Sequence, residues 1–177
     1  MTPPTLAHIV CNYQKQAVRV AYWEHGDPHS AHTIICVHGV TRQGRDFDVL
    51  AQALISDAQQ RGVAVPRIIC PDMPGRGGST WLSNPNDYQV PVYVQIMVQF
   101  LAQLQQQNSI QQLDWVGTSM GGLIGMGLAA LQSTAAWPLA VPLRHMVLND
   151  VGPEIAWSSI ERIGHFVADT GHFATLE

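Results

Sequence analysis

Charge is scarce in this chain: Asp, Glu, Lys and Arg make up only 12% of its 177 residues. The net charge is -4 and the pI about 6.0. No basic field exists that would draw nucleic acid or an anionic membrane surface. Cysteine is equally sparse. Cys11, Cys36 and Cys70 form no CxxC and cannot pair evenly. Cys36 and Cys70 fall in apolar, strand-like runs, where a thiol acts as a small hydrophobe. A reduced, cytoplasmic setting is the expectation. "MTPPTLAHIV" has neither the basic start nor the apolar stretch of a signal peptide. GxxxxGK[ST] is missing, and no GxGxxG opens a helix, so no phosphate cradle is encoded. No internal repeat occurs. Glutamine supplies much of the polarity, and "LAQLQQQNSIQQL" reads as a solvated helix face followed by a polar loop.

One absence could mislead. Between Trp115 and Leu143 there is no charged residue, and "GGLIG" contains GxxxG. A membrane helix needs about 20 predominantly apolar residues in a row. Gly121, Gly122, Gly125, Gly127, the polar "QST", Pro138 and Pro142 interrupt this run. It reads as a buried helix and a loop.

What is present is a strand-and-helix alternation. "AHIVCN" and "AVRVAYWE" read as two strands joined by a turn at Gln14 to Gln16. "TIICVHG" is apolar on both parities, as in a strand covered on both faces. Phe47, Leu50, Ala51, Leu54 and Ala58 repeat at helical spacing, and Gly62 ends that helix. "VPRIICPD" is a further buried strand, followed by the long loop "MPGRGGSTWLSNPNDYQ". Pro91 suits the first turn of a helix carrying Val92, Ile96, Phe100 and Leu104 four apart. "QLDWVG" is strand-like, Met120 to Leu131 helical, "RHMVLND" a strand, and "AWSSIERIGHFVADTG" a helix. This order predicts an α/β fold, a mostly parallel sheet with helices on both faces.

The chemistry concentrates in "WVGTSMGG". Gly117-Thr118-Ser119-Met120-Gly121 matches G-x-S-x-G, set between a predicted strand and a predicted helix. In that context Ser119 sits on a sharp turn, with its hydroxyl at the C-terminal edge of the sheet. Gly117 and Gly121 remove β-carbons that would clash. The helix start offers free N–H groups to developing negative charge. "HGVT", residues 38–41, ends another strand. The N–H groups of Met120 and Val40 are the candidate oxyanion donors. His38 is read as shaping its loop. Asp72, at the head of "DMPGRGGS", is read as a loop organiser.

Together, "HGVT", "DMPGRGGS" and "VGTSMGG" resemble the α/β-hydrolase fold family, serine-nucleophile branch, across residues 17–153. The resemblance implies a sheet of roughly eight strands, of which about six are present, and a lid inserted after the sixth. Residues 1–152 then form the N-terminal part of the core, and residues 153–177 begin the lid. It implies a hydrolase acting on an ester, lactone or related small acyl substrate through an acyl-enzyme. No cofactor, metal, nucleic-acid or membrane partner is called for, and oligomeric state is not legible. Other chemistry on the same fold (C–C bond hydrolysis, a lyase reaction, perhydrolysis) and a non-catalytic remnant are the alternatives. Dehalogenase and epoxide hydrolase chemistry is disfavoured, because those relatives carry aspartate at the position of Ser119.

The sequence departs from the pattern in its histidines. The family order is Ser, then Asp or Glu, then His. Only His145, His165 and His172 follow Ser119, and none follows a suitable strand. Asp150 is a candidate acid, with Glu154 weaker. The expectation is that these residues are a truncated N-terminal part of a longer hydrolase, inactive on their own. His25, Asp27, His29 and His32 in "EHGDPHSAH" are read as a solvated loop rather than a zinc site.

Overall fold

The computed structural model describes residues 3–168. Strands β1 (Thr5–Tyr13) and β2 (Gln16–Gly26) form an antiparallel hairpin. Its two-residue turn places Gln14 and Lys15 at φ 46° and 67°. Those are the mirror-image turn conformations that match strand twist, adopted here without glycine. β3 (His32–Val37), β4 (Arg67–Pro71), β5 (Gln112–Thr118) and β6 (Leu143–Asn149) complete a six-stranded sheet in the order β1-β2-β4-β3-β5-β6. β2 meets β4 antiparallel, and all pairings from β4 to β6 are parallel.

Both faces are covered, which explains the continuous apolar runs. Alternate side chains of β3 and β4 serve opposite cores. Ile34, Cys36, Ile68 and Cys70 pack with Phe47 and Ala51 under α1 (Asp48–Gln60). Ile35, Val37 and Ile69 join Tyr93, Phe100 and Trp115 beneath α2 (Val90–Gln107) and α3 (Met120–Leu131). Each buried Val, Ile or Phe among these contributes about 1.5–3 kcal/mol of transfer free energy. A short 3-10 turn, Gly44–Phe47, leads into α1. Gly62 lies just past its end at φ 64°, as the sequence suggested. Among the described residues, no helix is long and apolar enough to cross a membrane; the Trp115–Leu143 stretch divides into the end of β5, α3, a turn region and the first residue of β6.

The fourth helix, α4 (Trp157–Ala168), follows β6. Ile160 and Ile163 on it are half exposed. Residues 169–177 of the expected lid segment, His172 included, lie outside the described residues. β6 is an edge strand, and Val147 on it is 54% exposed.

The topology also selects a place for chemistry. From β3 the chain crosses to β4 on one side, then returns through α2 to β5 on the other. The crevice between the C-terminal ends of β3 and β5 is therefore a topological switch point, where open α/β sheets bind ligands. "HGVT" follows β3 and Ser119 follows β5.

"EHGDPHSAH" is not wholly a surface loop. His25 belongs to β2 and is buried, because α1 covers that end of the sheet and sets Asp48 3.5 Å from its ring. His32 opens β3 and pairs with Asp114 at 2.7 Å. The Asp27 carboxylate accepts the His29 N–H at 2.9 Å. The side chains of His25, Asp27 and His32 thus turn to different partners.

Candidate active site

Ser119 occupies the N-cap of α3 at φ 49° and ψ -113°. A non-glycine residue there is strained, and such strain persists only where its surroundings over-determine it. Several contacts do so. Ser119 N–H donates to the Asn149 carbonyl at the end of β6, 2.9 Å away. Gly122 N–H donates to the Ser119 carbonyl at 2.8 Å. The Trp115 indole N–H donates to the Gly121 carbonyl at 3.0 Å, binding the first turn of α3 to β5.

Close approach explains both flanking glycines. A β-carbon on Gly117 would overlap the Gly121 carbonyl. One on Gly121 would overlap the Val37 carbonyl of β3. The serine is thereby pressed against the loop after β3, where Gly39 sits close enough that an added β-carbon would lie 3.7 Å from Ser119 Cβ.

That loop is fixed by His38, which is 1% exposed. Met73 N–H donates to its Nε2 at 2.9 Å. The proton must then lie on Nδ1, which donates to the Gly39 carbonyl at 2.7 Å. Arg42 N–H donates to the same carbonyl at 3.2 Å. Burial pushes the His38 pKa down, with Arg76 adding to the effect and the Gly39 carbonyl and Asp72 opposing it. This is a neutral imidazole with both nitrogens engaged, so it is not free to accept a proton from Ser119. The loop-shaping role expected for His38 matches its contacts.

Asp72 ties three segments together. Its carboxylate accepts Gly44 N–H at 2.7 Å and Gly78 N–H at 2.9 Å, and its backbone N–H donates to the Ala21 carbonyl at 2.8 Å. It is 1% exposed and faces loops, not the serine.

A cleft of about 530 Å³ opens beside Ser119. Val40, Met120, Leu123, Val151 and Ile160 give it an apolar lining, and Arg76, Tyr93, Asp150 and Glu154 add polar groups. The structure thus brings together Ser119, Val40, Met120 and Asp150. Met120 begins α3, so its N–H has no partner in the helix. Asp150 follows β6 at φ 57° and is exposed in the cleft. No histidine among the described residues lines the cleft. His145 lies at the opposite end of the sheet, on Asp114, 3.1 Å away. His165 is exposed on α4.

Two cleft residues escaped the sequence reading. Arg76 is a lone arginine in a glycine loop, and Tyr93 has the spacing of an ordinary core position on α2. Neither carries a local signal.

A family model described as alpha/beta hydrolase fold matches residues 32–164, spanning both the loop after β3 and the turn at Ser119. The chain belongs to the alpha/beta hydrolase fold family. It is similar to the 3-hydroxybutyrate-oligomer hydrolase of Cupriavidus necator, with 44% identity over 174 residues. That alignment covers 98% of this chain and 53% of the relative, so the chain spans about half the relative's length. An alpha/beta hydrolase from Novosphingobium aromaticivorans superimposes with a TM-score of 0.73 at 32% identity, covering 96% of this chain and 52% of that one. The haloalkane dehalogenase DpaA of Paraglaciecola agarilytica shares the fold, with a TM-score of 0.65 at 18% identity over 94% of this chain and 51% of its own. Relative to such full-length members, the sheet and helices seen here are an incomplete α/β-hydrolase fold.

Proposed function

We propose that this chain carries the nucleophile and oxyanion half of a serine esterase that cleaves 3-hydroxyacyl oligoesters. The observation that supports it most is the strained Ser119 backbone at the N-terminus of α3, inside the cleft at the switch point. In this reading the Ser119 hydroxyl attacks the ester carbonyl. The Met120 and Val40 N–H groups stabilise the oxyanion. The alcohol end of the cleaved oligomer leaves with a proton, and water releases the bound acyl group as a free acid. The base is a residue outside the described ones, since His38 is spent and the other described histidines stand away from the cleft. Asp150 is the acid candidate that would orient it. Among the described residues, those up to 152 belong to the core, and those from 153 to 168, α4 among them, begin a lid over the cleft. The substrate class is carried from the similarity to the oligomer hydrolase. The three free, buried cysteines support a reducing compartment.

The test uses the whole enzyme. A fluorophosphonate should label Ser119, and the dimer of 3-hydroxybutyrate should be hydrolysed in a Ser119-dependent way. Labelling without turnover of any ester would favour different chemistry on the same fold. Neither labelling nor turnover would favour a binding protein.

A further inference from the structure

Arg76 is held as a rigid cation in the cleft. Its Nε donates to the Val40 carbonyl at 2.9 Å. Its Nη1 donates to the Pro74 carbonyl at 2.8 Å and to the Tyr93 hydroxyl at 2.5 Å. The guanidinium carbon stands 5.6 Å from the ring centroid of Tyr88 and 5.5 Å from that of Tyr93. Five contacts fix one side chain, yet none neutralises it. Among the described residues no carboxylate lies within ion-pairing distance of Arg76, although Asp150 and Glu154 line the same cleft.

Two donors remain unspent. Nη2 has no acceptor among the described residues. The Tyr93 hydroxyl accepts from Arg76, so its own proton is still available. Tyr93 is only 2% exposed yet lines the cleft. Burial pushes its pKa up, against the pull of Arg76, which keeps the proton in place at neutral pH. A buried hydroxyl without an acceptor and an unpaired guanidinium both favour an anionic acceptor.

We propose that Arg76 and Tyr93 form a carboxylate subsite that grips the free acid end of the substrate. This rests on the esterase reading above. An oligomer of a 3-hydroxy acid has one carboxylate, on its last unit. The Arg76–Val40 hydrogen bond puts this subsite beside the oxyanion loop. The scissile ester is then the one nearest the acid end. One water is consumed per cleavage, the ester C–O bond breaks, and one 3-hydroxy acid leaves. The enzyme works stepwise from the acid end and prefers short oligomers.

The experiment compares the free-acid dimer of 3-hydroxybutyrate with its methyl ester, using the whole enzyme. Wild type should favour the acid in kcat/KM by roughly tenfold or more, mainly through KM. Arg76→Gln and Tyr93→Phe should each erode that ratio, and Arg76→Lys should restore part of it. Because Arg76 also holds Val40, its loss should lower turnover of both substrates, so the ratio carries the test. The isosteric Tyr93→Phe leaves that hold in place. A ratio near one in wild type, or one unchanged in both Arg76→Gln and Tyr93→Phe, overturns the subsite. Turnover of neither substrate would sink the esterase reading instead. In that event, line broadening of the Arg76 side-chain N–H by 3-hydroxybutyrate still decides the subsite: broadening that Tyr93→Phe weakens supports it, and no broadening overturns it.

Discussion

His38 Nε2 accepts the Met73 backbone N–H at 2.9 Å, and that one bond dictates the tautomer of the ring. With Nδ1 protonated, the ring holds the Gly39 carbonyl. A trans peptide points its C=O and N–H in opposite directions. The Val40 N–H is therefore turned away from His38. His38→Ala should lower kcat of the whole enzyme by roughly tenfold or more, with KM changed less. Loss of a whole oxyanion donor costs about 10²–10³, and a loosened donor should cost less than that. An unchanged kcat would refute a positioning role.

Ser119 tests function and strain together. Ser119→Ala should cut kcat by about 10³ or more in the whole enzyme. Ser119→Gly should be as inactive but more stable, because φ 49° suits glycine. The gain should be of order 1–3 kcal/mol, read as a higher midpoint in urea. A Ser119→Gly variant less stable than wild type would show that the elbow is not strained.

Gly121→Val should leave little folded protein. Its β-carbon would overlap the Val37 carbonyl, a backbone atom of a central strand that cannot rotate away. The destabilisation should exceed about 3 kcal/mol. Soluble Gly121→Val protein with wild-type circular dichroism and melting would contradict the packing described.

Three groups set the acid sensitivity. Burial lowers the pKa of His25 in the fold, against the pull of Asp48, as it does that of His38. The unfolded chain, with both imidazoles near pH 6.5, then binds these protons more readily than the native one. Stability from this source should decline as pH falls below about 6.5. Asp114 acts lower. Burial raises its pKa, but the hydrogen bonds and charges of Arg144 and His32 outweigh that and hold it below the ordinary carboxylate value. Its contribution is complete above the unfolded value of about 3.9 and is lost as pH falls through the folded one. Urea melts from pH 7 to 3 should show both declines, and Asp114→Asn should flatten only the lower one. A wild-type profile flat between pH 7 and 5 would contradict the part assigned to the two buried histidines.

The fold was legible because apolar runs and turn residues agree with it. "TIICVHG" is apolar on both parities and lies between two cores. Ser119 was legible because its glycines are a backbone requirement written as residues. His25 misled because its neighbours Gly26, Asp27 and Pro28 are loop-like, while its burial comes from α1, far along the chain. Arg76 and Tyr93 were invisible for a related reason. Their meaning depends on the hydrogen bond between them, which no local pattern encodes.

The site sits on two strands that touch in space but are distant along the chain. Cys36 of β3 pairs with Val116 of β5, 80 residues later. Closing so long a loop is entropically expensive, and such pairings form slowly. The β1–β2 hairpin, closed by two residues, faces no such delay. The hydroxyl of Ser119 and the loop at Val40 therefore become neighbours only when the centre of the sheet zips shut. In pulse-labelling hydrogen exchange during refolding, amides of Ile9 to Cys11 should gain protection before those of Ile34 to Val37. The cleft is a late event in the life of the chain, and its assembly marks the completion of the sheet.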